Sequence, residues 1–397
     1  MISISEALKI IERESFALSV ETTDLENSVG RVLAETVKAD MDLPPFNRSQ
    51  MDGFAVKSND TKTAPTRLKV IGESVAGKGF DRRMKTGEAV RIMTGARVPD
   101  GADAVQKVEL TEENDGFVTI TEPAKSGQHI NLFASEIVNG TKIFGKGEIV
   151  TAQMIAAIAS FGYAKIKVFR RPKIAVLSTG SEIVEISETP QKDQIRNSNS
   201  MMLKVFAESC GDAEILPHVA DDVESLKAAI ENEIETYDVL ITTGGVSVGD
   251  YDFTKPVLRT LGAEIFFEKV SLKPGKPTVF AKRGKCLIFG LPGNPVSSAV
   301  TFFLFVRTAV LRMQSAKNPE LKKGFAVVAE KIKAAKERDS VLPAFLTTNE
   351  KGEQVIESLR FNGSSNFIAF ARANALVFVP QAKNLETGDV AEVMFLP

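Results

Sequence analysis

The sequence predicts a multidomain α/β protein: a central parallel-sheet α/β domain with a helical/linker domain, an inserted small β domain and a C-terminal β domain. Three observations predict it. At 397 residues the chain exceeds what one ordinary hydrophobic core serves. From Lys173 onward, apolar runs end in Gly-containing turns and lead into helical patterns, the rhythm of a parallel sheet. On either side of that region, short β-type runs alternate with Gly and Pro turns.

Taken in order, Ile4, Ala7, Leu8 and Ile11 fall at helical spacing, so 4–13 reads as an amphipathic helix acting as a lid or dimer element. The Pro-rich stretch Asp42-Leu43-Pro44-Pro45-Phe46 follows. Short β runs at Leu68 to Ile71, Ala89 to Met93 and Phe117 to Thr121 then mark a small all-β domain. Thr151 to Phe161 returns to a helical pattern, which makes the β domain an insertion. The expected boundaries are 1–45 plus 140–170 for the helical/linker domain, 46–139 for the insertion, 171–317 for the α/β domain and 318–397 for the C-terminal β domain. Candidate strands in the last are Ala326 to Val328, Gln354 to Ile356 and Ala375 to Val379.

Composition excludes several functions. Basic and acidic residues number 49 and 51, so no overall field attracts a polyanion and nucleic acid is not an expected partner. Two cysteines, Cys210 and Cys286, exclude a disulfide framework and a Cys-rich zinc site, and read as core residues. They fit a reducing cytoplasm. Only His129 and His218 are available, which leaves little room for Ser-His-Asp or multi-histidine chemistry; His218, in a strand-like stretch, reads as structural. The start lacks a secretory pattern, and the longest apolar candidate, Ala299 to Val310, is shorter than the roughly 18 residues of a membrane span and contains Arg307. No membrane partner is expected.

The chemistry is expected where the strands end. In an open parallel sheet the ligand crevice lies beyond the carboxyl ends of the strands. Three junctions should therefore meet: Ser178-Thr179-Gly180, Thr243-Gly244-Gly245-Val246-Ser247, and Leu291-Pro292-Gly293-Asn294-Pro295. Glycine permits close approach, and free N–H groups at helix starts attract an anion. A lone Gly-Gly is more often a bare turn, but three such turns on one edge favour a phosphorylated ligand. Lys269, Lys273 and Lys276, braced by Pro274, Gly275 and Pro277, would serve a multiply charged anion. Glu182, Asp221, Asp222, Asp250 and Asp252 are candidate carboxylates for Mg²⁺. Asp221 and Asp222 also precede a helical run from Val223, so capping accounts for at least one of them.

Asp42 to Val56 resembles the D-L-P-P-F-x-x-S-x-M-D-G-Y-A signature of the MoeA and gephyrin E-domain family. Arg91 to Ala96 with Gly101 to Val105, Thr243 to Asp252, Lys273 to Pro277 and Gly290 to Ser297 match further family segments in order, and the similarity covers essentially the whole chain. The resemblance implies a homodimer of four-domain subunits whose α/β domain, of the molybdopterin-binding type, holds adenylylated molybdopterin. It implies a Mg²⁺-dependent transfer in which molybdate is the substrate, the phosphoanhydride is cleaved and AMP leaves. Asp52, Asp252, Lys273 and Lys276 would then be catalytic, with Asp52 coming from the partner's side of the cleft. Thr94, Thr179, Gly180, Glu182, Asp221, Asp222, Gly244, Gly245, Ser247, Lys269, Pro292, Gly293, Asn294 and Pro295 would bind substrate, and Glu182 and Asp252 would hold Mg²⁺. A molybdopterin adenylyltransferase and acceptor molybdoenzymes are the implied partners.

Two positions depart from the family pattern. A G-x-x-I-R-x-x-G-E-D segment reads here Gly127 to Glu136 with Asn131 at the arginine, and the nearest match to E-F-x-R is Ala344-Phe345-Leu346-Thr347. Asn and Thr cannot give the bidentate contacts of a guanidinium. Two rival readings follow: a catalytically weak binding or scaffold protein, and the adenylyltransferase that shares the T-G-G-containing domain.

Overall fold

A computed structural model describes residues 1–220, 222–244, 254–359 and 366–397. The chain divides into two compact units, one of 1–35, 146–155 and 165–397, the other of 36–145 and 156–164.

The larger unit is built on a six-stranded sheet whose spatial order is Asp212–Ile215, Lys173–Ser178, Val239–Thr243, Cys286–Leu291, Val279–Arg283 and Glu264–Phe267. The first four strands are parallel. Only Val279–Arg283 runs against them, because Gly284 at φ +58° lets the chain reverse between Arg283 and Cys286, and Glu264–Phe267 pairs antiparallel with it at the edge. The sheet is therefore mixed where a parallel one was expected. The three central parallel strands are buried along nearly their whole length, as their unbroken apolar runs require of a sheet covered on both faces.

One covering element is a continuous helix from Pro295 to Met313, with a π-helical segment at Phe302–Val306. It is longer than the apolar stretch read from the sequence. Its 19 residues and mean hydropathy of 1.5 would suit a membrane span, but it is 89% buried inside the protein and serves as the core helix. The amino-terminal helix Ile4–Glu14 packs against it through Ala7 and Ile11, both fully buried. Ser3 and Glu6 close a capping box, Glu6 N donating to Ser3 Oγ at 3.2 Å and Ser3 N to Glu6 Oε2 at 2.7 Å. Ala7 and Ile11 thus make this helix a packing element of its own core.

The C-terminal strands form a second sheet of the same unit. In order they are Leu272–Lys273, Asp339–Thr348, Gln354–Ser358, Lys323–Val328, Val390–Phe395 and Ala375–Val379, and the last pairs back with Asp339–Thr348, closing a barrel. Closure removes the exposed edges that a small sheet would otherwise present.

The smaller unit contains a six-stranded sheet ordered Ala104–Lys107, Gly53–Val56, Glu88–Ile92, Thr66–Ser74, Phe117–Ile120 and Thr111–Asn114. Its two apolar layers centre on Phe54, Leu68 and Val118, and on Met84, Val90 and Ile92. Arg48–Ser49 pairs with Ile130–Asn131 beside it.

Candidate active site

Adjacent parallel strands bring their carboxyl ends together, and the expected junctions meet there. Thr179 N donates to Thr243 O at 3.0 Å and Gly180 N to Val219 O at 3.3 Å. A side chain at Gly244 would place Cβ 2.9 Å from Thr179 Oγ1, and closer still to the Thr179 carbonyl. Gly244 also has φ +93°, so both space and backbone geometry call for glycine. At Gly293 a Cβ would stand 3.7 Å from the Gly244 Cα.

The turns open onto a cavity of about 650 Å³. Its wall includes Thr179, Glu182, Thr243, Gly244, Gly293, Asn294 and Pro295, and also Arg196, Asn197, Ser198, Asn199 and Phe367. Two helices start in this wall. Pro295 opens the long core helix as its first residue, as fits its fixed φ and missing N–H. Asn197 caps Ser198–Glu208, its side chain accepting from Ser200 N at 3.2 Å while its amide donates to Ser178 Oγ at 2.9 Å. Two helix amino termini favour negative charge in the space between them. Arg196, exposed on the same wall, adds a guanidinium; its Nε donates to Glu188 O at 3.0 Å.

The floor is a hydrogen-bonded set. Asn199 Nδ2 donates to Gly293 O at 2.6 Å and to Thr243 Oγ1 at 3.3 Å, and Ser298 Oγ donates to Pro292 O. Among the described residues, Asn199 Oδ1 and Thr179 Oγ1 are buried here without a partner. Orphaned groups of this kind are costly in a core and common where a ligand completes them.

The other expected residues are distributed as follows. Asp222 caps the helix Val223–Glu233, accepting from Ser225 N at 2.8 Å, and this bond holds its carboxyl below the usual carboxylate range. Asp221, Gly245, Val246, Ser247, Asp250 and Asp252 lie outside the described residues. None of Lys269, Lys273 and Lys276 lines the cavity. Their loop is tied at Val270 to Ile2 and, through Leu272 and Lys273, to Asp339 and Ser340 of the C-terminal barrel. Arg338 donates to Leu272 O at 3.2 Å, which sets a further guanidinium beside the lysines. Gly275 backs onto Thr301 of the long helix.

Glu182 is exposed at the cavity, its carboxylate over Gly180. Among the described residues no group of three or more His, Cys, Asp or Glu is placed to hold a metal. A Mg²⁺ ion fits Glu182 only as a substrate-bridged ion, held by one or two carboxylates with phosphate and water completing its shell.

In the smaller unit, Asp52 and Thr94, 42 residues apart, form one device. Thr94 N and Thr94 Oγ1 donate to Asp52 Oδ1 at 2.6 and 2.7 Å, and the backbone bond first and the hydroxyl second hold this exposed carboxyl below the usual range. Asn131 is the direct cross-strand neighbour of Arg48 and accepts from Gln50 Nε2. Thr347 pairs with Val355 inside the barrel sheet.

The remaining nucleophile candidates are inert. Burial pushes the Cys210 thiol up to about 11 and Cys286 up to about 12, so neither supplies a thiolate near neutrality. His218 lies between the strand ending at Ile215 and the Val219 bridge. It is exposed, with Nδ1 3.6 Å from Glu185, and is a surface group where a strand position was expected.

Comparison with known proteins agrees with this architecture from end to end. Residues 2–162 match the MoeA N-terminal region (domain I and II), 175–312 a probable molybdopterin binding domain, and 326–396 the MoeA C-terminal region (domain IV). A curated molybdopterin molybdenumtransferase of Staphylococcus aureus is 35% identical over 401 residues, spanning 99% of this chain and 95% of that relative; one from Staphylococcus epidermidis matches to the same extent. Among solved structures, two molybdopterin biosynthesis MoeA proteins of Pyrococcus horikoshii superpose with TM-scores of 0.79 and 0.84 at 32% and 27% identity, each covering all of this chain and 99% or more of the other. The chain belongs to the MoeA family, the molybdopterin molybdenumtransferases.

Proposed function

We propose that the chain inserts molybdate into adenylylated molybdopterin with release of AMP, and that the 650 Å³ cavity holds the phosphoanhydride of that substrate. The observation that carries this is the meeting of two helix amino termini and the Thr179, Gly244 and Gly293 turns on one wall. Phosphoanhydride cleavage needs positioning and charge compensation more than an activated side chain. The backbone N–H groups and Arg196 supply compensation, and Asn199 and Ser298 fix the floor. Bound Mg²⁺ would neutralise phosphate charge at Glu182; Asp252 is its second expected ligand.

Asp52, kept ionised by Thr94, is read as the carboxylate that orients the incoming group, acting across a homodimer. Lys269, Lys273 and Lys276, with Arg338 beside them, are read as the molybdate side of the site. Arg48, the cross-strand neighbour of Asn131 and paired with Glu136 at 3.3 Å, is read as the substitute for the absent family arginine. This favours a competent transferase over a weak scaffold. The four-domain division at 1–45 with 140–170, 46–139, 171–317 and 318–397, the cytoplasmic location, and exchange with an adenylyltransferase and acceptor molybdoenzymes belong to the same proposal.

The test is AMP release from adenylylated molybdopterin with Mg²⁺, with and without molybdate. Release that depends on molybdate supports the proposal. Consumption of ATP instead would identify an adenylyltransferase, and neither activity would leave a binding protein.

A further inference from the structure

A cleft of about 1050 Å³ in the larger unit shares no residue with the sheet-edge cavity. It is bounded by the second half of the core helix, by the segment 147–151 and by the stretch 317–323 that leads from that helix into the barrel. Its wall carries Arg307, Arg312, Lys317, Lys322 and Lys323. Three of these cations have carboxylate partners: Lys317 pairs with Glu148 at 2.7 Å, Lys323 with Glu392 at 3.1 Å, and Arg312 with Glu12. Arg312 still keeps Nε buried without a partner, so its charge is incompletely satisfied.

Arg307 is the anomaly. It is half-buried and donates once, from Nη1 to the Pro319 carbonyl at 2.9 Å, and among the described residues it pairs with no carboxylate. Burial pushes its pKa below the usual arginine range, as happens to a desolvated cation with no opposite charge beside it. Its Nε and Nη2 are not sealed off by packing, so they stay accessible from the cleft. A guanidinium held in this way is costly unless an anion completes it. A carboxylate brings two oxygens and one charge, whereas a phosphate group brings three or four oxygens and up to two charges, a better match to a guanidinium with a second guanidinium and the exposed Lys322 on the same wall. Glu148 and Glu320, also on that wall, count against a long polyanion.

We propose that this cleft is a second anion site, which binds one phosphate group, free or carried by a small monoester, through Arg307, with Lys322 and Arg312 adding charge. The inference does not rest on the proposed function, since none of these residues lines the sheet-edge cavity. Arg307 also holds the linker at Pro319, so an anion bound there stabilises the joint between the core helix and the barrel.

The experiment is calorimetric titration of the full-length chain with inorganic phosphate, ribose 5-phosphate and acetate, for the wild type, Arg307→Met, Lys322→Gln and Arg196→Gln. Phosphate can also enter the sheet-edge cavity, and Arg196→Gln marks that component. In the wild type phosphate should bind more tightly than acetate. Arg307→Met should weaken phosphate on the order of tenfold or more, as loss of charge-assisted hydrogen bonds does, and Lys322→Gln roughly a few-fold. Lys322 is exposed, so its variant keeps the result readable if Arg307→Met fails to fold. Tighter binding of ribose 5-phosphate than of phosphate, lost in the same variants, would make the occupant an ester, and equal binding would make it the free ion. A phosphate affinity that falls in Arg196→Gln but not in Arg307→Met or Lys322→Gln overturns the inference, and so does a wild type that binds no phosphate. Melting temperature adds a reading that a merely structural role would not move: phosphate should raise it more in the wild type than in Arg307→Met, and an equal rise in both refutes the site.

Discussion

Gly244→Ala tests whether the cavity wall depends on close approach of neighbouring turns. The residue sits at φ +93°, where a side chain costs about 1–2 kcal/mol. The added Cβ would meet the Thr179 carbonyl and hydroxyl, and the Thr179 backbone cannot retreat freely. Its N–H is bonded to Thr243 O at 3.0 Å, and Thr179 bridges to Val219. Loss of one such bond adds about 1 kcal/mol, while the stiffer unfolded chain returns about 0.4–1 kcal/mol. The net destabilisation is about 1–3 kcal/mol, or roughly 2–10 °C in the melting temperature of a unit of this size. Gly262→Ala is the control: Gly262 has φ +73° and open space where Cβ would go, so it carries the backbone cost alone. Differential scanning calorimetry follows the transition of the α/β unit in a chain that need not unfold in one step, and AMP titration reports the cavity. Gly244→Ala should be the less stable variant and should bind AMP more weakly than Gly262→Ala. If the two variants melt together and bind AMP alike, the turns are not in forced contact and the described wall is wrong.

The Asp52 device predicts that Asp52→Asn abolishes molybdate-dependent turnover while leaving AMP affinity intact; full activity would remove Asp52 from the mechanism. Thr94→Val removes the hydroxyl donor, so the acid limb of the pH–rate profile should move up, and an unmoved limb would show that Thr94 does not set the carboxylate. At the opposite end of the sheet, Arg170 grips Asp238 with two bonds of 2.7 and 2.9 Å, and Lys173 N adds a third of 2.8 Å. Burial alone would raise the Asp238 carboxyl, but these donors outweigh it and its pKa is lowered. Asp238→Asn should cost about 1.5–3 kcal/mol at neutral pH. Because the folded pKa is depressed, that contribution is complete above the unfolded value and fades as pH falls through the folded one, so urea titrations of wild type and variant should converge in acid; a constant gap would refute the assignment. Arg48→Gln should raise the KM for molybdate without changing AMP affinity, and an unchanged KM would mean that the oxyanion has another partner. Neutralising Lys273 and Lys276 together should impair molybdate-dependent turnover most at low salt, where screening is least; salt-independent loss would point to folding rather than charge.

The sheet-edge site was legible because its signals are local. An apolar run that ends in glycine and resumes at helical spacing describes a strand, a turn and a helix within about a dozen residues, and parallel pairing then forces those turns together. Gly244, Gly293 and Pro295 were found this way. Asn199 and Phe367, which also line the cavity, were not legible, for the complementary reason. Asn199 follows an irregular stretch, and only its neighbour Asn197 carries a readable signal, as an N-cap before a helix. Phe367 comes from a short helix, Phe367–Phe370, between two strands of the C-terminal barrel, and nothing in its own neighbourhood marks it as part of the cavity wall.

Charge was legible as presence and not as address. Lys269, Lys273 and Lys276 announce an anion, but their position is set by a two-residue strand that joins Asp339–Ser340, a pairing across more than sixty residues that no local pattern encodes. Asp52 meets Thr94, and Asn131 faces Arg48, through pairings that are likewise remote in sequence. The same division explains why scarce histidine and buried thiols do not count against an enzyme here. When catalysis rests on backbone N–H groups and helix ends, the chemistry is written in the fold itself. A sequence rich in turns at strand ends then says more about function than an inventory of reactive side chains.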